Sequence, residues 1–198
     1  MNPFLFTPIL LASASPRRRE LLLQLGVPHE VLSVDVDESA LAGESAQQLV
    51  TRLARTKALA GLRRDGGGRP VLGADTVVVV DDIVCGKPAD RADAMRMLAL
   101  LAGRRHRVMT AVAVAAGGAA QVLEALSCTD VTMRSISSAE AAAYWDSGEP
   151  AGKAGGYAIQ GRGALFIEHI SGSYSGVMGL PLYETAQLLQ VVQGGGNR

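Results

Sequence analysis

Residues 71–80 read VLGADTVVVV, and this stretch decides the fold. A β-branched apolar run of that length predicts a central strand buried on both faces, the kind found inside a sheet covered by helices. Asp75 and Thr76 are out of place in it. A buried carboxylate without a partner is costly, so Asp75 must meet a cation, a hydrogen-bond donor or open solvent. A strand-end aspartate capping a neighbouring turn satisfies that demand. So does a metal ligand or a general base in a cleft.

On the N-terminal side of this run, strand and helix signals alternate. Pro8 to Ala12 predicts a short buried strand. Ser15 reads as an N-cap, Pro16 takes the first helical position, where its missing N–H costs nothing, and Leu21, Leu22 and Leu25 form a core stripe ended by Gly26. His29 to Val36 alternates like a second strand and runs into DVDE. Ser45-Ala-Gln-Gln48 is a capping box opening a helix through RLARTKALAGL. The DGGGRP cluster, residues 65–70, marks a turn and the best candidate for a loop between two lobes.

On the C-terminal side, Asp90 caps a helix that Gly103 closes. Two long strands, RHRVMTAVAVAA and AAQVLEALSCTDVTMRS, are joined at Gly117-Gly118, a hairpin signal. Ser137-Ser-Ala-Glu140 is a second capping box. SGEPAGKAGGYAIQGRG holds too many glycines for a regular element. ALFIEHI predicts a strand, SGSYSGVMG another loop, and Pro181 opens a last helix before a flexible tail at 194–198. Crossovers mixed with hairpins imply an α/β fold: an extended mixed β-sheet with flanking helices.

Composition excludes several classes. With 48% apolar and 19% charged residues, 198 residues suffice for one core, a single domain with two lobes. The 19 basic and 19 acidic residues cancel, and only 4% are aromatic, so neither a nucleic-acid platform nor a membrane-binding surface is expected. MNPFLFTPILLASAS faintly imitates a signal peptide. No Lys or Arg precedes its apolar run, however, and Pro3 and Pro8 interrupt it, so it reads as the first strand. Cys85 and Cys128 have no metal-ligand spacing and predict reduced thiols of a cytoplasmic protein. His29, His106 and His169 are scattered and read as structural.

Three features carry chemistry besides Asp75. LLASASPRRRELLLQLG, residues 10–26, places arginines at the start of a helix, where the dipole disfavours them by a few tenths of a kcal/mol each, on the order of the usual end effect. They are either splayed into solvent or facing an anion bound at the helix N-terminus. DVDE offers Asp35, Asp37 and Glu38, either a solvated acidic loop or oxygen ligands for a hard cation. The chain has 16 arginines and three lysines, Lys57, Lys87 and Lys153, which points to positions where a compact charge is needed. There is no G-x-G-x-x-G, no P-loop and no G-x-S-x-G elbow.

In this order, SASPRRRELL, DVDE, RLARTKA, GADTVV, GKP, MTAVAV, AGGYAIQGRG and GLPL resemble the Maf family of nucleoside triphosphate pyrophosphatases, over Ile9 to Leu189. The resemblance implies two lobes around a cleft, similar to inosine triphosphate pyrophosphatases, and a homodimer. It implies that Asp75 is the catalytic proton acceptor, and that Glu38 and Asp75 hold a divalent cation, Mg2+ or Mn2+. Ser13, Arg18, Lys57 and Lys87 would surround the triphosphate. Arg17, Thr76 and Gln160 match the base-reading positions of the branch acting on dTTP and UTP. A glutamine amide can pair with both a carbonyl and an N–H of a pyrimidine edge. The implied reaction is hydrolysis of a nucleoside triphosphate to the monophosphate and pyrophosphate. The competing expectations are a non-catalytic nucleotide-binding regulator of division and a pyrophosphatase for modified guanine nucleotides.

Overall fold

The computed structural model describes residues 5–117 and 121–194. Its sheet has seven strands in the order β2-β1-β3-β5-β6-β7, with β4 also paired to β3. These are β1 Ile9–Leu11, β2 His29–Val31, β3 Val71–Val80, β4 Ile83–Cys85, β5 Arg105–Ala116, β6 Gln121–Met133 and β7 Ile167–Ser171. β1 runs parallel to both β2 and β3, whereas β4 on β3 and β7 on β6 are antiparallel. The helices are α1 Pro16–Gln24, α2 Ala46–Asp65, α3 Arg91–Leu101, α4 Ser138–Asp146, α5 Tyr174–Met178 and α6 Leu182–Gly194. The mixed α/β architecture is the one expected.

The chain divides into two compact units. One comprises Met1–Asp75, Thr110–Ser127 and Gly179–Arg198, the other Thr76–Met109 and Cys128–Met178. The boundary falls inside β3, between Asp75 and Thr76, not at DGGGRP. That cluster lies within the first unit: left-handed Gly66 ends α2, and Asp65 accepts from the backbone and guanidinium of Arg69.

Local signals place most elements. Both capping boxes form: Ser45 Oγ accepts from Gln48 N, Ser137 Oγ accepts from Glu140 N, and each partner side chain returns a bond to the cap backbone. Asp90 caps α3 through Asp93 N. All of β3 but Thr76 is buried, as its composition requires. β2 is shorter than the predicted His29–Val36, because its partner β1 offers only Ile9–Leu11; one further bond, Leu32 N to Leu11 O, ends the pairing. The predicted strand at ALFIEHI begins only at Ile167, after a 3-10 turn over Arg162–Phe166. The loop expected at SGSYSGVMG contains α5, whose first turn is closed by Ser173 Oγ accepting from Gly176 N. Gly118 of the hairpin signal and 195–198 of the expected tail lie outside the described residues.

Each unit has its own core. In the first, Ile9, Leu11, Leu21, Leu22, Val50 and Leu72 are fully buried, each worth about 1.5–3 kcal/mol of transfer free energy. In the second, Val78, Val80, Met97, Leu98, Leu101, Val131, Tyr144, Tyr157 and Phe166 pack together. No described helix is long and apolar enough to cross a membrane. Both cysteines are free thiols.

Candidate active site

The first unit holds six of the nine expected residues, and two of them, Glu38 and Asp75, meet a third, Lys57. α2 lies directly on β3 at Gly73: a Cβ there would collide with Ala54 O and come within 2.6 Å of Ala58 N. This close approach brings Lys57 over the strand next to Asp75. The Lys57 ammonium is 2.7 Å from Asp75 Oδ1 and 2.6 Å from Glu38 Oε1. Lys57 and Asp75 are both buried, while Glu38 is exposed. The carboxylate that looked misplaced in a valine strand therefore meets a cation, as its burial demands. The lysine expected among phosphate ligands stands between the two expected metal ligands.

The seam after β1 contributes the rest. Ser15 occupies the N-cap position of α1 with extended backbone angles, but its side chain makes no capping bond. Ser13 shapes the turn instead: its Oγ accepts from Ser15 N at 3.2 Å and from Arg18 Nη1 at 3.1 Å. Arg18 Nε donates to Gly179 O at 2.8 Å. Burial pulls the Arg18 guanidinium below its ordinary range; the charges of Asp75 and Glu38 oppose that shift and Arg17 adds to it. Arg18 is thus built into the unit within electrostatic reach of both acids. Arg17 is half-buried beside it, and Arg19 is exposed.

Two residues that sequence reading missed hold the loop carrying Glu38. Arg52 donates to both oxygens of Glu44, at 2.6 and 2.8 Å, and to Ser39 O at 2.9 Å. Leu41 N donates to Glu44 Oε2. The Arg52 guanidinium drives the Glu44 carboxyl down to about 2. The available signal was Arg52 itself, five residues before Lys57 in α2.

Thr76, Lys87 and Gln160 belong to the second unit. Thr76 is the half-buried residue of β3, and Lys87 is exposed in the turn after β4. Gly86 O, next to Lys87, accepts from Gly155 N at 2.9 Å. Gln160 is exposed between 3-10 turns at Ala154–Gly156 and Arg162–Phe166. His106 is buried, as a structural histidine, with Nε2 2.7 Å from Tyr157 Oη.

The residues present fit a hard divalent cation. Glu38 and Asp75 converge on one point of positive charge. Magnesium and manganese take one or two protein carboxylates and fill the remaining positions with water and phosphate oxygens. Among the described residues no group of three His, Cys, Asp or Glu side chains is placed to hold a metal ion, so a cation here would need oxygens from a phosphate ligand or water.

The family model for Maf-like protein matches residues 8–192. The chain belongs to the Maf family. Curated relatives of this Maf chain include a dTTP/UTP pyrophosphatase of Bordetella parapertussis, 55% identical over 92% of this chain and 91% of its own length. One from Saccharophagus degradans is 54% identical over 93% and 89%, and one from Pseudoalteromonas translucida 53% identical over 92% and 95%. Among solved structures, a nucleoside-triphosphatase / dITP/XTP pyrophosphatase from Mycobacterium abscessus overlaps 64% of this Maf chain and 74% of its own. Its sequence identity is 16% and its TM-score 0.43.

Proposed function

We propose that this Maf protein hydrolyses dTTP and UTP to the monophosphate and pyrophosphate. The observation that carries the reading is the Asp75–Lys57–Glu38 cluster, its buried Asp75–Lys57 pair joined by the exposed Glu38, in a chain whose relatives at 53–55% identity bear the name of that activity. Hydrolysis at the α-phosphorus needs an aimed water and positive charge on the departing pyrophosphate. Asp75, fixed by Lys57, orients the water and takes its proton. Arg18, Lys57, Lys87 and the Ser13 hydroxyl meet the triphosphate, and Arg17, Thr76 and Gln160 read the pyrimidine. Glu38 and Asp75 would hold a magnesium or manganese ion, which when bound neutralises phosphate charge. Such a substrate is drawn from the cytoplasmic nucleotide pool, and the reading includes a homodimer.

The test is purified protein with Mg2+ or Mn2+ and a panel of nucleoside triphosphates, with pyrophosphate measured separately from phosphate. Pyrophosphate from dTTP and UTP above the other nucleotides is the expected result. No pyrophosphate from any nucleotide refutes the enzyme and leaves a nucleotide-binding regulator; release from modified guanine nucleotides alone overturns the base assignment.

A further inference from the structure

We infer that Glu149 and Tyr144 form a clasp that positions Gln160, making them specificity-positioning residues that act without touching the nucleotide. The inference rests on the reading of Gln160 as a base-contacting residue.

Gln160 lies in the segment from Gly152 through Gly163, which holds five glycines, a composition that by itself specifies no single conformation. Yet the backbone on both sides of Gln160 is tied to one carboxylate. On the C-terminal side, Arg162 N donates to Glu149 Oε2 and Gly163 N to Glu149 Oε1, each at 2.9 Å. On the N-terminal side, Ala158 N donates to Tyr144 Oη at 3.0 Å, and that hydroxyl donates to Glu149 Oε1 at 2.7 Å. Residues 158–163 are therefore closed into a short loop whose two ends meet at Glu149. Gln160 is exposed between them, flanked by Ile159 and Gly161.

The clasp is rigidly seated. Tyr144 is buried, at the end of α4, with its ring edge-on to Phe166 at 5.2 Å between centroids. Tyr157, the residue before the loop, is buried and meets His106. The loop has no room for side chains where it passes the clasp. A Cβ on Gly161, whose φ is +134°, would come within 2.5 Å of Glu149 Oε2, and one on Gly163 within 2.6 Å of Tyr144 Oη. Three donors focused on one carboxylate keep its charged form favoured; they outweigh desolvation and hold the Glu149 carboxyl below its ordinary value. A neutral amide cannot replace it, since Gln offers one acceptor oxygen and would aim an NH2 at a backbone N–H.

A side chain that selects a base must be held within a fraction of an ångström, and a glycine-rich loop does not hold itself. Loosening the clasp should therefore leave the chemical step and blunt the choice of base. The experiment measures kcat and KM for dTTP, UTP, dCTP and dGTP with Glu149→Gln, Tyr144→Phe, Gln160→Ala and Glu149→Gln combined with Gln160→Ala. Hydrogen exchange is followed at the amides of Ala158, Arg162 and Gly163. Expected for the clasp variants are a roughly tenfold rise in KM for dTTP, kcat within about threefold, and a roughly tenfold loss of dTTP preference over dCTP, in the range of a lost positioning contact. The three amides should exchange faster while β5 stays protected. In the combined variant Glu149→Gln should remove no selectivity beyond that already lost in Gln160→Ala.

A selectivity loss in Gln160→Ala that neither clasp variant reproduces overturns this inference alone. Unchanged selectivity in Gln160→Ala overturns the assignment of Gln160, and this inference with it. A uniform fall in kcat on every nucleotide, with selectivity kept, makes the clasp purely structural and also overturns the inference. Should Glu149→Gln fail to fold, Tyr144→Phe, which removes only the N-terminal tie, carries the same test.

Discussion

The Cβ of Lys57 lies 3.1 Å from the point where a side chain on Gly73 would begin, so the helix bearing the lysine rests on the strand bearing Asp75. With Gly73 in place, the ammonium reaches Asp75 at 2.7 Å although 18 residues separate the two in sequence. The glycine of GAD is thus a spacing element: it sets how near a cation can come to a carboxylate that the sheet would otherwise bury alone.

Gly73→Ala should therefore act on both stability and activity. The added methyl group meets backbone atoms of α2, which cannot turn aside as a side-chain tip would. Overpacking of this kind costs about 2–3 kcal/mol. Urea unfolding should show that loss, with turnover falling as Lys57 is lifted from Asp75. Equal stability and turnover in the variant would show that α2 and β3 adjust without cost.

Lys57→Met keeps the stem's apolar packing and removes the charge, leaving the buried Asp75 carboxylate without its partner. Breaking one side of a buried pair costs roughly 3–5 kcal/mol, less here because Glu38 is half in water and can turn away. Pyrophosphate release should fall by more than about 100-fold, the scale of losing a preorganised charge at a reacting centre. Lys57→Arg should not restore it, because a planar fork cannot serve two carboxylates from the space of one ammonium. A Lys57→Met protein with wild-type kcat would take the lysine out of the site.

Acid should loosen the Glu38 loop first through Glu44. Arg52 holds the Glu44 carboxyl at about 2 in the folded chain, against 4.5 for an unperturbed glutamate. A carboxyl depressed on folding contributes stability fully above its unfolded value and loses it as pH falls toward the folded one. The window for Glu44 is thus pH 4.5 down to 2, shared by Glu140, which Arg134 and Ser137 depress to about 2 in the same way. Unfolding midpoints taken across that window should fall less steeply in Glu44→Gln than in the wild type. Identical slopes would mean that Arg52 does not hold Glu44 in solution.

What could be read from sequence was local. VLGADTVVVV announced a doubly covered strand and a carboxylate in need of a partner, and the capping boxes at Ser45 and Ser137 announced two helix starts, because each signal lies within a few residues of its effect. The strand at His29 was overextended, because its length is set by β1, a partner that alternation in one segment cannot reveal. α5 was missed because a serine-glycine run looks like a loop until Ser173 is seen closing its first turn. The Glu149 clasp was beyond reach for a similar reason. A glutamate that takes backbone N–H groups 13 and 14 residues away leaves no periodicity behind. Lys57 was picked out by lysine scarcity, but that argument could not place it between Glu38 and Asp75.

His106 makes the second pH prediction, with the opposite chemistry to Glu44. Its ring is buried, Nε2 faces the Tyr157 hydroxyl, and Nδ1 has no hydrogen-bond partner among the described residues. An imidazolium has two N–H donors, so protonation would place a charge in the core and leave a donor unmet. Burial accordingly pushes the His106 imidazole down to about 4 from 6.5, with the Asp130 charge opposing it weakly. Here the unfolded chain binds the proton more readily than the folded one, so stability rises with pH across the window. Going down from pH 6.5 to 4, the wild type should lose about 3 kcal/mol through this one residue, at about 1.4 kcal/mol per pH unit. Urea midpoints between pH 7 and 4.5 should fall in the wild type and stay nearly level in His106→Gln, whose lower starting stability does not affect the slope. A slope that survives the substitution would assign the acid sensitivity elsewhere and leave His106 an ordinary partner of Tyr157.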